Sequence, residues 1–186
     1  MGVVVTVPPA AEPIDIVEAK AHLRVTTPAD DALIGHLISA ARIHAEAFTG
    51  RAFVTQTITW TLDGFPGWTL AVPRPPLRQV TSITYLDPAG VAQVLDPAAY
   101  RVDAAGWQGR ITPAYGLVWP QAREVIAAVS IAFDAGYGAG SAVPAPIIAA
   151  IKLILGALYE RRGDDAGEAL PAAARALLGA FRVEPV

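Results

Sequence analysis

The chain has 186 residues, of which 53% are hydrophobic and 17% charged, and its net charge is −3. Its length suits one domain, and this composition excludes intrinsic disorder. Lys and Arg are not concentrated in any segment, which argues against a general attraction to nucleic acid. There is no cysteine, so thiol catalysis, zinc–thiolate sites and disulfides are excluded. No signal peptide or membrane span is predicted.

Residues 1–13 predict an extended N-terminal arm. The run of valines favours a strand, and Pro8, Pro9 and Pro13 prevent a helix. Such an arm is either loosely ordered or laid against another surface, and the sequence leaves both alternatives open.

Two helices are predicted to follow, over residues 15–25 and 28–49. Asp15 stands three residues before an acid, the spacing of a capping box. Pro28 suits the first position of the second helix, and Gly50 suits a left-handed cap at its end. Apolar residues between them recur at helical spacing and give the second helix one apolar face.

A β insertion is predicted over residues 53–134. Apolar residues alternate with threonines along 54–62, which indicates a half-buried strand. Further strands are predicted at 68–72, returning from the first, at 80–86, and finally at 125–133. Turn signals every eight to twelve residues favour a small antiparallel sheet or a partly closed barrel.

The most informative segment is the helix predicted over residues 144–162. Pro144 and Pro146 open it, and its apolar residues cover every face. It is too short to cross a membrane, which needs about 20 apolar residues. We therefore predict a core helix that packs against the helix at 28–49, with the β insertion between the two.

The C-terminal residues 163–186 predict a hinge followed by an amphipathic docking helix. A polar, glycine-bounded stretch at 163–167 precedes an apolar stripe that begins at Leu170 and ends at Phe181. Such a helix either packs on its own core or docks into a neighbour. The predicted class is thus α+β: a small helical bundle of two N-terminal helices and a long C-terminal core helix, an antiparallel β insertion, and a hinged C-terminal helix.

Catalytic patterns are missing from the sequence. His22, His36 and His44 do not have the spacing of a helical metal pair, and most carboxylates stand at turns. The glycine-rich stretch at 136–140 lacks the lysine and hydroxyl residue of a phosphate-binding loop. We predict no catalytic residue, no cofactor and no metal site.

Partner contacts are predicted instead, at two places. The stretch at 74–78 is rigid, basic and apolar, which suits a protein contact. The C-terminal stripe is the other place. The predicted partner-binding residues are Arg74, Leu77, Arg78, Leu170, Leu177, Leu178, Phe181 and Arg182.

Several short segments, in order and spacing, resemble the head–tail connector (adaptor) proteins of long-tailed phages and gene transfer agents. The matching segments are EAKAHLRV (18–25), DDALI (30–34), FTGRA (48–52), PRPPL (73–77), VTSI (80–83), YRVD (100–103), GRI (109–111), Phe133, GYG (136–138) and VPAPI (143–147), running to Tyr159 and Glu160. None of them is a catalytic signature.

This resemblance implies a structural protein that forms a homo-oligomeric ring, expected to be a dodecamer, beneath the portal protein of a DNA-filled head. A stopper or tail-terminator protein is expected on the other side, with DNA passing through the lumen without specific binding. The protein would then be part of a virion or gene-transfer-agent particle assembled in the bacterial cytoplasm. Two alternatives of other classes remain: a small β-rich enzyme with an unrecognised carboxylate site, and a nucleic-acid-binding module. The ring number, the lumen-facing residues and the type of particle stay open.

Overall fold

A computed structural model describes residues 2–161 and 170–183 and confirms the α+β class. The described residues form four helices and eight strands in two antiparallel sheets. Among them, no helix is both long enough and apolar enough to span a membrane. The predicted hinge at 163–167 lies outside the described residues.

The helices are α1 (Ile16–Leu23), α2 (Asp31–Thr49), α3 (Ala145–Glu160) and α4 (Ala172–Gly179). The strands are β1 (Gly2–Val7), β2 (Gln56–Leu62), β3 (Leu70–Ala71), β4 (Leu77–Leu86), β5 (Ala92–Val94), β6 (Tyr100–Asp103), β7 (Arg110–Pro113) and β8 (Val129–Ala135). They divide between two compact units. The β unit comprises residues up to 10 and 55–136, and the helical unit comprises 11–54 and the residues from 137 onward.

This division differs from the predicted single domain with an N-terminal arm. The arm is not separate, because β1 pairs antiparallel with β2 and belongs to the β unit. The sequence could not show this, since the pairing joins residues fifty or more positions apart.

The core of the helical unit is built on α3. Ile147, Ile151, Ile154 and Leu155 are completely buried, and they share one apolar cluster with residues of α1, α2 and α4. The buried residues of α3 lie on one face, at i, i+3, i+4, i+7 and i+8, whereas apolar residues of its other faces, such as Ile148 and Leu153, are only half-buried. The prediction of a core helix is therefore confirmed for one face, and burial on all sides is not observed.

The end of α1 and the start of α2 differ from the predicted boundaries because of local backbone geometry, and α3 ends at Glu160, two residues before its predicted end. Helix α1 stops at Leu23, since Arg24 adopts the left-handed conformation (φ 58°) and its N–H bonds back into the last turn. Helix α2 begins at Asp31 rather than at residue 28. There the N–H of Asp31 bonds to the carbonyl of Pro28, forming a turn before the first α-helical bond. Asp15 and Gly50 cap α1 and α2 as predicted.

A buried charge cluster ties three segments of the helical unit together. Arg42 donates to Glu12 at 2.7 Å and to Glu46 at 2.8 Å, and Glu46 also accepts from the backbone N–H of Phe53 at 2.8 Å. Burial by itself lowers the pKa of the Arg42 guanidinium, but hydrogen bonds and charges from the two glutamates outweigh it and raise that pKa. Arg42 therefore stays charged in the interior, where its cluster fixes the segment before α1 and the segment after α2.

The β unit contains a five-stranded sheet of order β1-β2-β8-β4-β5 and a three-stranded sheet of order β3-β7-β6. The central strands β2 and β8 alternate strictly between buried and half-buried residues, as the sequence pattern of β2 predicts.

Two strand predictions are wrong in detail. The segment at 68–72 contains only the short β3, which pairs with β7 instead of returning along β2. The last strand begins at Val129 rather than at 125, because Ala127 adopts the left-handed conformation (φ 58°) and interrupts the extended chain.

The first prediction tests the α3 core. Replacing Ile151 with alanine should lower the free energy of unfolding by about 2–5 kcal/mol, because it leaves a cavity among fully buried side chains. The matched variant Ile43→Ala, at an exposed position of α2, should change it by less than about 0.5 kcal/mol. Urea unfolding measures both, and equal effects would contradict the assignment of α3 as the core.

The second prediction tests the charge cluster. Arg42→Met should cost about 3 kcal/mol or more, since it leaves two glutamates without their buried cation. Arg110→Met removes a 2.5 Å ion pair with Asp103 that is exposed on both sides, and should cost less than about 1 kcal/mol. A smaller loss for Arg42→Met than for Arg110→Met would show that the cluster does not stabilise the fold.

Candidate functional site

The turn carboxylates of the β unit act on their own backbone. Asp87 accepts from the N–H of Val91 at 2.9 Å, and Asp103 accepts from that of Ala105 at 3.1 Å. A hydrogen bond from Gln93 lowers the pKa of Asp87, and one from Arg110 lowers that of Asp103. A general acid needs a raised pKa at neutral pH, so these two groups have the opposite property. In residues 2–161 and 170–183, no three His, Asp or Glu side chains are grouped to hold a metal.

The first group of predicted contact residues lies in the β unit and is only partly accessible. Arg78 is exposed and Arg74 is half-buried in a left-handed conformation (φ 57°). Leu77 is buried instead, because β4 starts there and pairs with β8. Its side chain fills the space above Gly109, where any added Cβ would collide with it. The structure thus assigns Leu77 to the interior and leaves the two arginines accessible.

The second group lies in the helical unit, on and around α4. Leu178 is fully buried in the cluster with α3, whereas Leu170, Leu177 and Phe181 are half-buried against it. Two bonds hold the end of this segment: Val183 donates to the carbonyl of Thr49 at 2.8 Å, and Arg51 donates to that of Phe181. The apolar stripe therefore packs on its own core, and Leu178 is not available to a partner.

Arg182 is the most accessible member of this group. Its guanidinium lies 5.6 Å from the centre of the Phe48 ring, which is a cation–π arrangement. The charged group remains exposed at the surface beside the end of α2.

One accessible apolar surface was not predicted from the sequence. It is the loop at residues 114–128 between β7 and β8, hereafter the apolar loop. Tyr115 is 98% exposed and Ile126 88% exposed, and Leu117, Val118 and Val125 are exposed beside them in sequence. Its sequence contains two short apolar stretches, 114–120 and 125–128, separated by polar and charged residues, and such short stretches do not distinguish a surface loop from a short buried strand.

Contacts at several points hold the apolar loop in place. The indole N–H of Trp119 donates to the carbonyl of Trp68 at 3.1 Å, and its ring stacks on Phe65 with centroids 4.8 Å apart. Further along, the N–H of Arg123 bonds to the carbonyl of Leu86 at 2.8 Å. These contacts fix the backbone of the apolar loop, while its large apolar side chains are exposed to water. This combination is typical of a protein-binding surface.

A second accessible apolar surface is β1. Its four valines are all exposed, on both faces of the strand, and β1 forms one edge of the five-stranded sheet. Val4 is 61% exposed. Hereafter this strand is the β1 edge.

Comparison with known proteins gives two kinds of match. Residues 13–72 match the family described as phage gp6-like head–tail connector protein. The chain is also similar to a protein in the neck of an empty gene transfer agent (GTA) particle, with 27% identity and a TM-score of 0.85. It is similar to a chain in the virion of a native GTA particle, with 26% identity and a TM-score of 0.83. It is also similar to a chain in the neck of a native GTA particle, with 28% identity and a TM-score of 0.78. Each structural match covers 100% of this chain and 97% of the other. No curated protein matches the sequence.

The third prediction concerns the anchoring of the apolar loop. Trp119→Leu removes both the indole hydrogen bond and the ring stack, so local opening of the loop should become more frequent. Trypsin should then cleave after Arg123 at least several-fold faster, with circular dichroism unchanged. Trp107→Leu, at an exposed tryptophan outside this loop, serves as the control. Equal cleavage rates in the two variants would mean that Trp119 does not hold the loop.

Proposed function

We propose that this chain, which is a head–tail connector protein, forms an oligomeric ring in the neck of a phage-like particle and joins the DNA-filled head to the tail. One observation carries the proposal: the similarity to GTA neck proteins extends over the whole chain and includes both the helical and the β unit. The matching family and structures consist of structural neck components, so this is a structural protein and not an enzyme.

Ring formation is supported by the symmetry of the similar particles. The structures of their necks were computed with sixfold symmetry in one case and twelvefold symmetry in another. We accordingly assign twelve copies to the ring. Identical subunits in a ring contact one another through two different surfaces, and exposed apolar surfaces such as the apolar loop and the β1 edge suit such contacts.

We assign two further partners, one on each side of the ring: the portal protein of the head and a stopper or tail-terminator protein. Arg182 and the half-buried Leu170, Leu177 and Phe181 form the contact with the portal, while Leu178 keeps α4 on its own core. Arg74 and Arg78, which are accessible in the β unit, remain predicted partner-binding residues without an assigned partner.

The charge of the chain suits a channel for DNA. A positively charged lumen would bind phosphates and release counterions, which slows the movement of DNA. With a net charge of −3 and no concentration of Lys and Arg, the ring allows DNA to pass without holding it.

The fourth prediction tests the ring and the portal contact together. Native mass spectrometry of the purified chain mixed with its portal protein should show twelve copies per portal ring. The chain alone can remain a monomer, because the portal provides the template. If the chain and the portal do not associate at any concentration, the proposed function is wrong.

A matched pair of variants locates the portal contact. Arg182→Glu should weaken portal binding at least tenfold and reduce stability by less than about 1 kcal/mol, since only an exposed cation–π contact is lost. Arg101→Glu, at an exposed arginine of β6, should leave binding unchanged. Equal portal affinities in the two variants would exclude Arg182 from the contact.

A further inference from the structure

The five-stranded sheet has two open edges in the described part of the chain. In residues 2–161 and 170–183, β1 pairs only with β2, and β5 pairs only with β4. Each edge strand therefore presents a row of backbone N–H and C=O groups away from its neighbour, which is a template for another strand.

The β1 edge lacks the features that usually prevent such pairing. Its sequence, GVVVTV, contains no charge and no proline. Its valines are also exposed on both faces, whereas the adjacent β2 alternates between buried and half-buried residues. An apolar strand that its own subunit covers on neither face is suited to burial in an assembly.

The opposite edge has a similar character. β5 and its flanking residues, VAQVL at 91–95, also carry no charge. Val94 is 72% exposed and Val91 is exposed beside it.

The apolar loop lies next to this second edge. A Cβ added at Gly90, in the turn between β4 and β5, would collide with the guanidinium of Arg123 from the loop. Three residues of β5 alone bury far less than the roughly 800 Å² per partner of a stable interface. The neighbouring apolar loop enlarges the apolar surface on this side of the sheet.

We propose that the β1 edge of one subunit pairs with the β5 edge of the next copy, so that the sheet continues from subunit to subunit. The occupant of each edge is a second copy of this chain. Neither edge strand contains a charged residue, and the two edges are different surfaces, as a ring requires. Strand addition at a sheet edge supplies the main-chain hydrogen bonds. This inference rests on the proposed ring.

Cysteine cross-linking tests this pairing directly, because the natural chain contains no cysteine. Val4→Cys, near the middle of β1, is combined in turn with Ala92→Cys, Gln93→Cys and Val94→Cys, which covers the registers that place Val4 opposite β5. Paired strands bring Cα atoms within the 4.4–6.8 Å that a disulfide spans. After assembly with the portal protein and mild oxidation, at least one pair should give a ladder of covalent multimers on non-reducing gels.

Single-cysteine variants and the pair Val4→Cys with Val102→Cys, at an exposed valine of β6, serve as controls. They should give no ladder. If rings form by native mass spectrometry and no pair cross-links, the edge pairing is wrong while the connector function stands. Dimers from Val4→Cys alone would mean that β1 pairs with β1, which also contradicts the proposal. If no ring forms with the natural chain, both proposals fail.

Discussion

The burial of α3 is the constraint on which the helical unit depends. Five residues on one of its faces are completely buried, so α3 is stable in water only where other helices cover that face. Those helices come from both ends of the chain, α1 and α2 before the β strands 2–8 and α4 after them. Folding of this unit therefore requires that distant parts of the sequence meet, and the main part of the β unit is inserted between them.

The described residues bury a charged cluster in the helical unit and expose apolar side chains in the β unit. The Arg42 cluster buries charge and fixes the segment before α1 and the segment after α2. The second of these segments leads into the β insertion. The apolar loop and the β1 edge expose large apolar side chains on fixed backbone. A rigid subunit with exposed apolar surfaces is what a stable assembly needs, because little conformational entropy is then lost when partners bind.

Much of the fold was predictable where the signal is local. The cap at Asp15, the left-handed Gly50, the alternation of β2 and the all-round apolarity of α3 each follow from short stretches of sequence. Non-local pairing was not predictable: β1 beside β2, β3 beside β7, and Leu77 covered by its own subunit. The apolar loop was not predicted because Val125 and Ile126 have strand propensity, and the left-handed conformation of Ala127 interrupts the extended chain after them. The function itself came from the resemblance of many short segments, since no residue has a chemical signature.

Electron microscopy of the assembled particle tests the connector function most directly. For this experiment a small tag is fused to the C-terminus of the chain, and the neck is reconstructed without imposed symmetry. We expect twelve tag densities in a single ring between the portal and the tail. Tag density elsewhere in the particle, or complete head–tail joining in particles that lack this chain, would contradict it.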